Sequence, residues 1–285
     1  GSNTAVVSSE DSPYKVYADI TPDLKPTIRL YSEAKTIFLP KDSSELFKYD
    51  SNSSNENIFQ FSEIDISKLD FTKVENATEM FANQHAKLTL PENATGHASS
   101  GNLKTTKGMF LNFQNAANGY YYGIGNQINY LNVENVTDFE DMFKGSSFAT
   151  PASSDRGTVR NFHYFAFSID LAELAKNKEK LNSIKMNLGD SIKQGKDSLV
   201  SLNFYNTNAK ELARLSDDDI KAVFNKLFGD LKPLSQVSIG VSTRNINASE
   251  ASQSLGRLQS ILKGLGFSYI VGVARNTIVK TNREV

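Results

Sequence analysis

The chain has 285 residues, 39% of them hydrophobic and 22% charged, with 31 basic and 32 acidic side chains and a net charge of −1. That is enough apolar material to bury a core, and it leaves no field of one sign to draw in nucleic acid or an anionic membrane surface. Cys is absent, which excludes disulfides, thiolate nucleophiles and thiolate-bound metal.

Residues 1–35 are expected to form a disordered N-terminal segment followed by a cap. Positions 1–13 are small and polar, and Gly1-Ser2 resembles a cloning remnant. The chain is therefore expected to be a piece of a longer protein whose export signal or anchor lies elsewhere. The stretch Tyr14 to Leu30, with Pro22 and Pro26, is expected to cover the first repeat. No run approaches the roughly 20 apolar residues of a membrane span, so direct membrane insertion is not expected.

Residues 36–150 alternate short apolar runs with polar loops. Candidate strands are Thr36–Leu39, Phe61–Ile66, Lys87–Leu90 and Ile128–Val133, and Tyr49 to Asn57 is a polar surface loop. An internal repeat runs through this region. An apolar residue is followed six positions later by Met-Phe: Val74 with Met80-Phe81, Leu103 with Met109-Phe110, and Val136 with Met142-Phe143. Leu46-Phe47 is a degenerate copy of the pair. A unit of this size cannot bury its apolar face alone, so copies must stack, and Met-Phe would form a ladder through a shared core.

The two best copies run Leu69-Asp-Phe-Thr-Lys-Val-Glu-Asn-Ala-Thr-Glu-Met-Phe81 and Leu131-Asn-Val-Glu-Asn-Val-Thr-Asp-Phe-Glu-Asp-Met-Phe143, and Ile66-Ser67-Lys68-Leu69-Asp70 precedes the first Met-Phe copy. Over roughly residues 36–148 this pattern resembles the BspA-like leucine-rich-repeat surface proteins of mycoplasmas, lactobacilli and related bacteria. Leu69 stands where that family has an aromatic, and the repeat lengths vary more than is usual there. The resemblance implies an exported protein that binds host or neighbour-cell components. It implies no individual binding residue.

Residues 151–285 change texture to alternating strand and helix. Strands are expected at Tyr164–Ile169, Leu199–Tyr205, Gln236–Ser242 and Phe267–Val273. Ile220, Val223, Phe224 and Leu227 form one helical face, with Ser216 and Asp219 as a capping box. Leu255, Leu258, Leu262 and Leu265 form the next, with Ser249 as a possible N-cap. A helix after Asp170 is less clearly marked.

Apolar residues alternate along these strands, at 200, 202 and 204 and at 237, 239 and 241, so one strand face is buried and the other open. The expected fold is α/β: a leucine-rich-repeat-like right-handed solenoid with irregular short-strand repeats first and β-α repeats continuing it. A three-layer α/β domain is the competing arrangement.

The open face would display Tyr164, Ser168, Ser201, Asn203, Tyr205, Ser238 and Ser242 as candidate ligand contacts, the competing reading being a solvated strand surface. Tyr120, Tyr121 and Tyr122, in a Gly- and Asn-rich loop, are further candidates, or else rings folded back onto the repeats.

Catalytic patterns are weak. His85, His97 and His163 lack metal-pair spacing, and Gly240-Val-Ser242-Thr-Arg244 lacks the closing Gly of a nucleophile elbow. Gly123-Ile-Gly125 has no third Gly. Asp217, Asp218 and Asp219 suit a helix N-terminus, and Glu63 with Asp65 suits a solvated strand. No cofactor or metal is called for. The expected function is a non-enzymatic, adhesin-like bacterial surface protein whose partner is a host extracellular protein or glycoprotein. Immunoglobulin binding in immune evasion and a spacer role in a larger surface protein are the alternatives.

Overall fold

A computed structural model describes residues 3–21, 27–50, 61–91, 101–113, 131–146, 149–151, 161–188, 199–231, 237–267 and 270–273. Strands β1 (Asn3–Val6), β2 (Val16–Thr21) and β3 (Thr27–Ser32) form an antiparallel sheet in that order. Disorder was the expectation for residues 1–13. Instead β1 satisfies its main chain by pairing Asn3 with Ile20 through Val6 with Tyr17, and Tyr17 stacks on Tyr31 at 5.3 Å. Pairing and β-branched residues outweigh the polar composition here. Val6, Val7, Ile20, Ile28, Leu30 and Tyr31 stay exposed, and the continuous core begins only at Leu39.

From residue 38 onward four segments lie side by side, joined by parallel bridges from Asp42 to Asn76, Asn76 to Thr105, and Thr105 to Asp138. Each contains the same compact turn. Leu46, Met80, Met109 and Met142 donate their N–H to the carbonyl three residues earlier, and each follows a residue with positive φ: Glu45 (58°), Glu79 (51°), Gly108 (59°) and Asp141 (57°). Asp42, Asn76, Thr105 and Asp138 accept, through their side chains, the N–H two residues on. Such local side-chain bonds hold the turn open to the neighbouring segment. The unequal spacing of the Met-Phe pairs is absorbed by the connections, because the turns themselves superpose their bonding pattern.

The rings stack along the array. Phe47 lies on Phe81 at 5.5 Å, Phe81 on Phe110 at 5.6 Å, and Phe110 on Phe143 at 6.0 Å, with planes within 10° of parallel. Met80, Met109 and Met142 are buried beside them. Strands β4 (Glu63–Asp65) and β5 (Lys87–Thr89) form a separate parallel pair alongside. The expected strand at Ile128–Val133 has no counterpart at 131–133, and its first residues lie outside those described.

The second half is a five-stranded sheet. Strands β7 (Asn161–Phe167), β8 (Leu199–Asn208), β9 (Val237–Ser242) and β10 (Ile270–Val273) are parallel, and β6 (Ala149–Pro151) adds an antiparallel edge to β7. Among the described residues the α-helices are α1 (Leu171–Lys176), α2 (Lys178–Ser183), α3 (Ala209–Ala213), α4 (Asp217–Phe228) and α5 (Ala248–Gly264). Ser216 caps α4 as the sequence predicts. Asn247, not Ser249, caps α5, its Oδ1 accepting from Glu250 N at 2.8 Å. Asp170 begins α1, and Asn177 both closes it and opens α2.

Phe165, Phe167, Leu202, Phe204, Ile239 and Val241 share one face of the sheet, and Phe204 meets Phe228 of α4 at 5.5 Å. The described helices touch one another: α1 meets α2, α3 and α4, and α5 meets α3 and α4. The two halves share one core. Phe143 meets Phe165 at 4.5 Å, and Asp138 bridges in parallel to Lys185. The ring ladder therefore passes into the sheet.

Candidate functional site

Alternation along β8 and β9 sends Ser201, Asn203 and Ser238 to the face opposite the helices. The parallel register sets Ser201 beside Ser238 and Asn203 beside Gly240. Ser238 and Ser201 hydroxyls lie 3.4 Å apart, and Asn203 Nδ2 donates to Ser201 Oγ at 3.2 Å. The result is a short polar row running across two strands. Both serines are half-buried.

The face is not open along its whole length, as the sequence led one to expect. Ala166 (3% exposed), Asn203 (4%) and Gly240 at its centre are buried. Ser168 is also misplaced by the sequence expectation. It is 1% exposed, and its Oγ accepts the N–H of Val133 at 2.8 Å, which ties the sheet to the preceding segment. Its role is structural because a buried hydroxyl must find a partner. Ser242 sits at the end of β9, accepting from Arg244 N at 3.2 Å. Tyr205 is half-buried beyond a register break in β8 between Phe204 and Asn208. Tyr164 pairs with Ser201 through β7. Tyr120, Tyr121 and Tyr122 lie outside the described residues.

Sequence reasoning missed a second feature. A cleft of about 620 Å³ opens where the two halves meet, beyond the C-terminal end of β7 and beside Asn206 near the end of β8. Val133, Val136, Ile169 and Ile184 provide its apolar wall, and Glu134, Asp170, Glu173, Lys180 and Asn206 its polar one. In parallel sheets this end gathers ligands because loops and helix starts converge there. Lys180 Nζ donates to the Glu134 carbonyl at 2.6 Å, and Asn206 Nδ2 to the Ser168 carbonyl at 3.1 Å. Burial pushes the Asp170 carboxyl above its usual range, opposed by the N–H groups of Ala172 and Glu173 that it accepts. Alternating strand patterns could mark β7 and β8, but nothing local in sequence could juxtapose them with residues 133–136.

The arrangement can hold polar groups by hydrogen bonds and apolar groups by contact. Among the described residues no three His, Asp or Glu side chains converge as a metal-holding group. No described helix is long and apolar enough to cross a membrane. Comparison of the chain with protein-family models, with curated proteins and with solved structures finds no match.

Proposed function

We propose that this chain is a non-catalytic binding module of a bacterial cell surface that engages a host protein or glycoprotein, on a leucine-rich-repeat-like solenoid of the BspA-like kind. The stacked Met-Phe turns and their head-to-tail bonding support the solenoid. The observation that carries the function is the pair of half-buried hydroxyls Ser238 and Ser201 on the sheet face away from the helices, backed by the buried Asn203 amide, with the half-buried Tyr205 further along β8. Small hydroxyls beside a tyrosine suit a partner's main chain or sugar hydroxyls, which need directional bonds and a flat amphipathic contact.

The experiment is retention of serum proteins on the immobilised chain, identified by mass spectrometry. The expected outcome is a saturable host extracellular protein, with immunoglobulin as one specific candidate. Ser201→Arg with Ser238→Arg, or Tyr205→Ala, should reduce its retention about tenfold, the equivalent of roughly 1.4 kcal/mol. Unchanged retention would move the site off this face. No retained protein would favour a spacer role.

A further inference from the structure

We infer that the outer side of the first segment, around Leu46 and Phe47, is a docking edge for one more Met-Phe turn carried by a different protein. This surface lies at the other end of the molecule's ring ladder from the sheet, and the inference stands independently of the binding reading above.

Burial at equivalent positions gives the first reason. Met80, Met109 and Met142 are 0%, 0% and 1% exposed, whereas Leu46 in the same place is 44% exposed. Phe81, Phe110 and Phe143 are fully buried between two neighbours, but among the described residues Phe47 stacks on Phe81 alone and is half-buried. Phe38, earlier in the same segment, is also 44% exposed, with Lys73 Nζ 3.8 Å from its ring centre.

Hydrogen bonding gives the second. Through the turns every junction has one polarity, whereas ahead of each turn the later segment donates back, Asn76 N to Lys41 O, Thr105 N to Glu75 O and Thr137 N to Lys104 O. The N–H groups of Ser43, Glu45, Phe47 and Tyr49 donate to the carbonyls of Asn76, Thr78, Met80 and Ala82 at 2.8–3.0 Å. Ala77, Glu79, Phe81 and Asn83 donate in turn to Thr105, Lys107, Met109 and Leu111, and Thr106, Gly108, Phe110 and Asn112 to Asp138, Glu140, Met142 and Lys144. The equivalent carbonyls of the first segment, on Asp42, Ser44, Leu46 and Lys48, have no donor among the described residues. A row of unpaired acceptors beside exposed apolar side chains is a template for chain addition.

The polarity also selects the occupant. Continuing an interface already repeated along the array requires a turn that offers N–H groups at alternate residues, an aromatic ring to lie on Phe47, and a Met- or Leu-like neighbour for Leu46. A second copy meeting this edge head to head would set acceptors against acceptors. A head-to-tail copy would need the far end of the array, which is already bonded: Phe139 N donates to Lys185 O and Asp141 N to Asn187 Oδ1. The partner is therefore a distinct chain bearing a turn of this type.

The test is a titration of the isotope-labelled full chain with a synthetic peptide of the sequence 69–85, which supplies a Met-Phe turn, at concentrations up to about 1 mM. Amide shifts confined to residues 38–49 are expected, with binding about tenfold weaker for a peptide carrying Phe81→Ala. The chain with Leu46→Arg should lose those shifts while the remainder of its spectrum stays unchanged. Absent shifts, or shifts spread through the later segments, would overturn the inference. So would sedimentation showing that the chain self-associates and that Leu46→Arg abolishes it, since the edge would then belong to a second copy.

Discussion

Phe110 lies between Phe81 and Phe143, fully buried, while among the described residues Phe47 has a ring on one side only. Removing a ring with neighbours on both faces leaves a cavity that the stack cannot close, because adjacent turns are hydrogen-bonded at fixed spacing. Phe110→Ala should cost about 3–5 kcal/mol, and Phe47→Ala clearly less, as measured by urea denaturation. Equal costs would mean that the ladder is not a continuous core. A second contrast concerns glycine. Gly145 has φ +70°, and an added Cβ would run into Asn112 Oδ1, whereas Gly229 is right-handed with open space around its Cβ position. Gly145→Ala should destabilise by at least about 1 kcal/mol, and Gly229→Ala should be neutral or stabilising. The opposite order of thermal midpoints would contradict the turn geometry.

At the scale of elements, α1 and α2 are each six residues long and depend on their caps and packing more than on propensity. Asp170 serves two conflicting demands. Its carboxylate caps α1 through Ala172 N (2.9 Å), yet burial disfavours its charge and raises its pKa. A carboxyl with a folded pKa above its unfolded one binds more protons in the native state, so its contribution to stability falls as pH rises through that window. Asp170→Asn keeps the cap and removes the charge. It should match or exceed the parent in stability at pH 7 and lose that advantage as pH falls through the carboxylate range. Asp170→Ala should cost about 1 kcal/mol at either pH. Paired denaturation curves at two pH values separate the cases. If Asp170→Asn destabilises only at pH 7, the sign is reversed and the ionised form is the favoured one.

Helix α4 was legible in sequence for a physical reason: its apolar face, its Ser216 cap and its acidic first turn all lie within a dozen residues. The N-terminal sheet was not. Its strands are held by pairing between residues about fifteen apart, and composition carries no trace of that. Ser249 and Asn247 are both residue types that cap helices, and only the backbone at Asn247, extended at φ −72° and ψ 163°, decides for Asn247.

At the scale of the whole molecule, buried side chains from Leu39 to Phe267 form one connected core. The halves meet through Phe143 and Phe165 and through Val133 N bonded to Ser168. Unfolding should therefore be a single transition, with far-UV circular dichroism and tyrosine fluorescence giving the same midpoint. A fragment of residues 1–150 should fail to give the dispersed amide spectrum of the intact chain. Two resolved transitions, or an independently folded fragment, would establish separate domains.

Side-chain spacing within a few turns of chain was enough to mark the Met-Phe pairs, including the degenerate Leu46-Phe47, strands near β7, β8, β9 and β10, and the amphipathic faces of α4 and α5. The sequence also held, unnoticed, the Asp42, Asn76, Thr105 and Asp138 series four residues before each Leu or Met. That Ser168 is a buried clasp, that Asn203 is covered, and that the cleft lies at Asp170 emerge only from the assembled fold. Those outcomes depend on which distant main-chain groups meet, and hydrogen bonds between segments thirty or more residues apart leave no periodic mark on the chain that makes them.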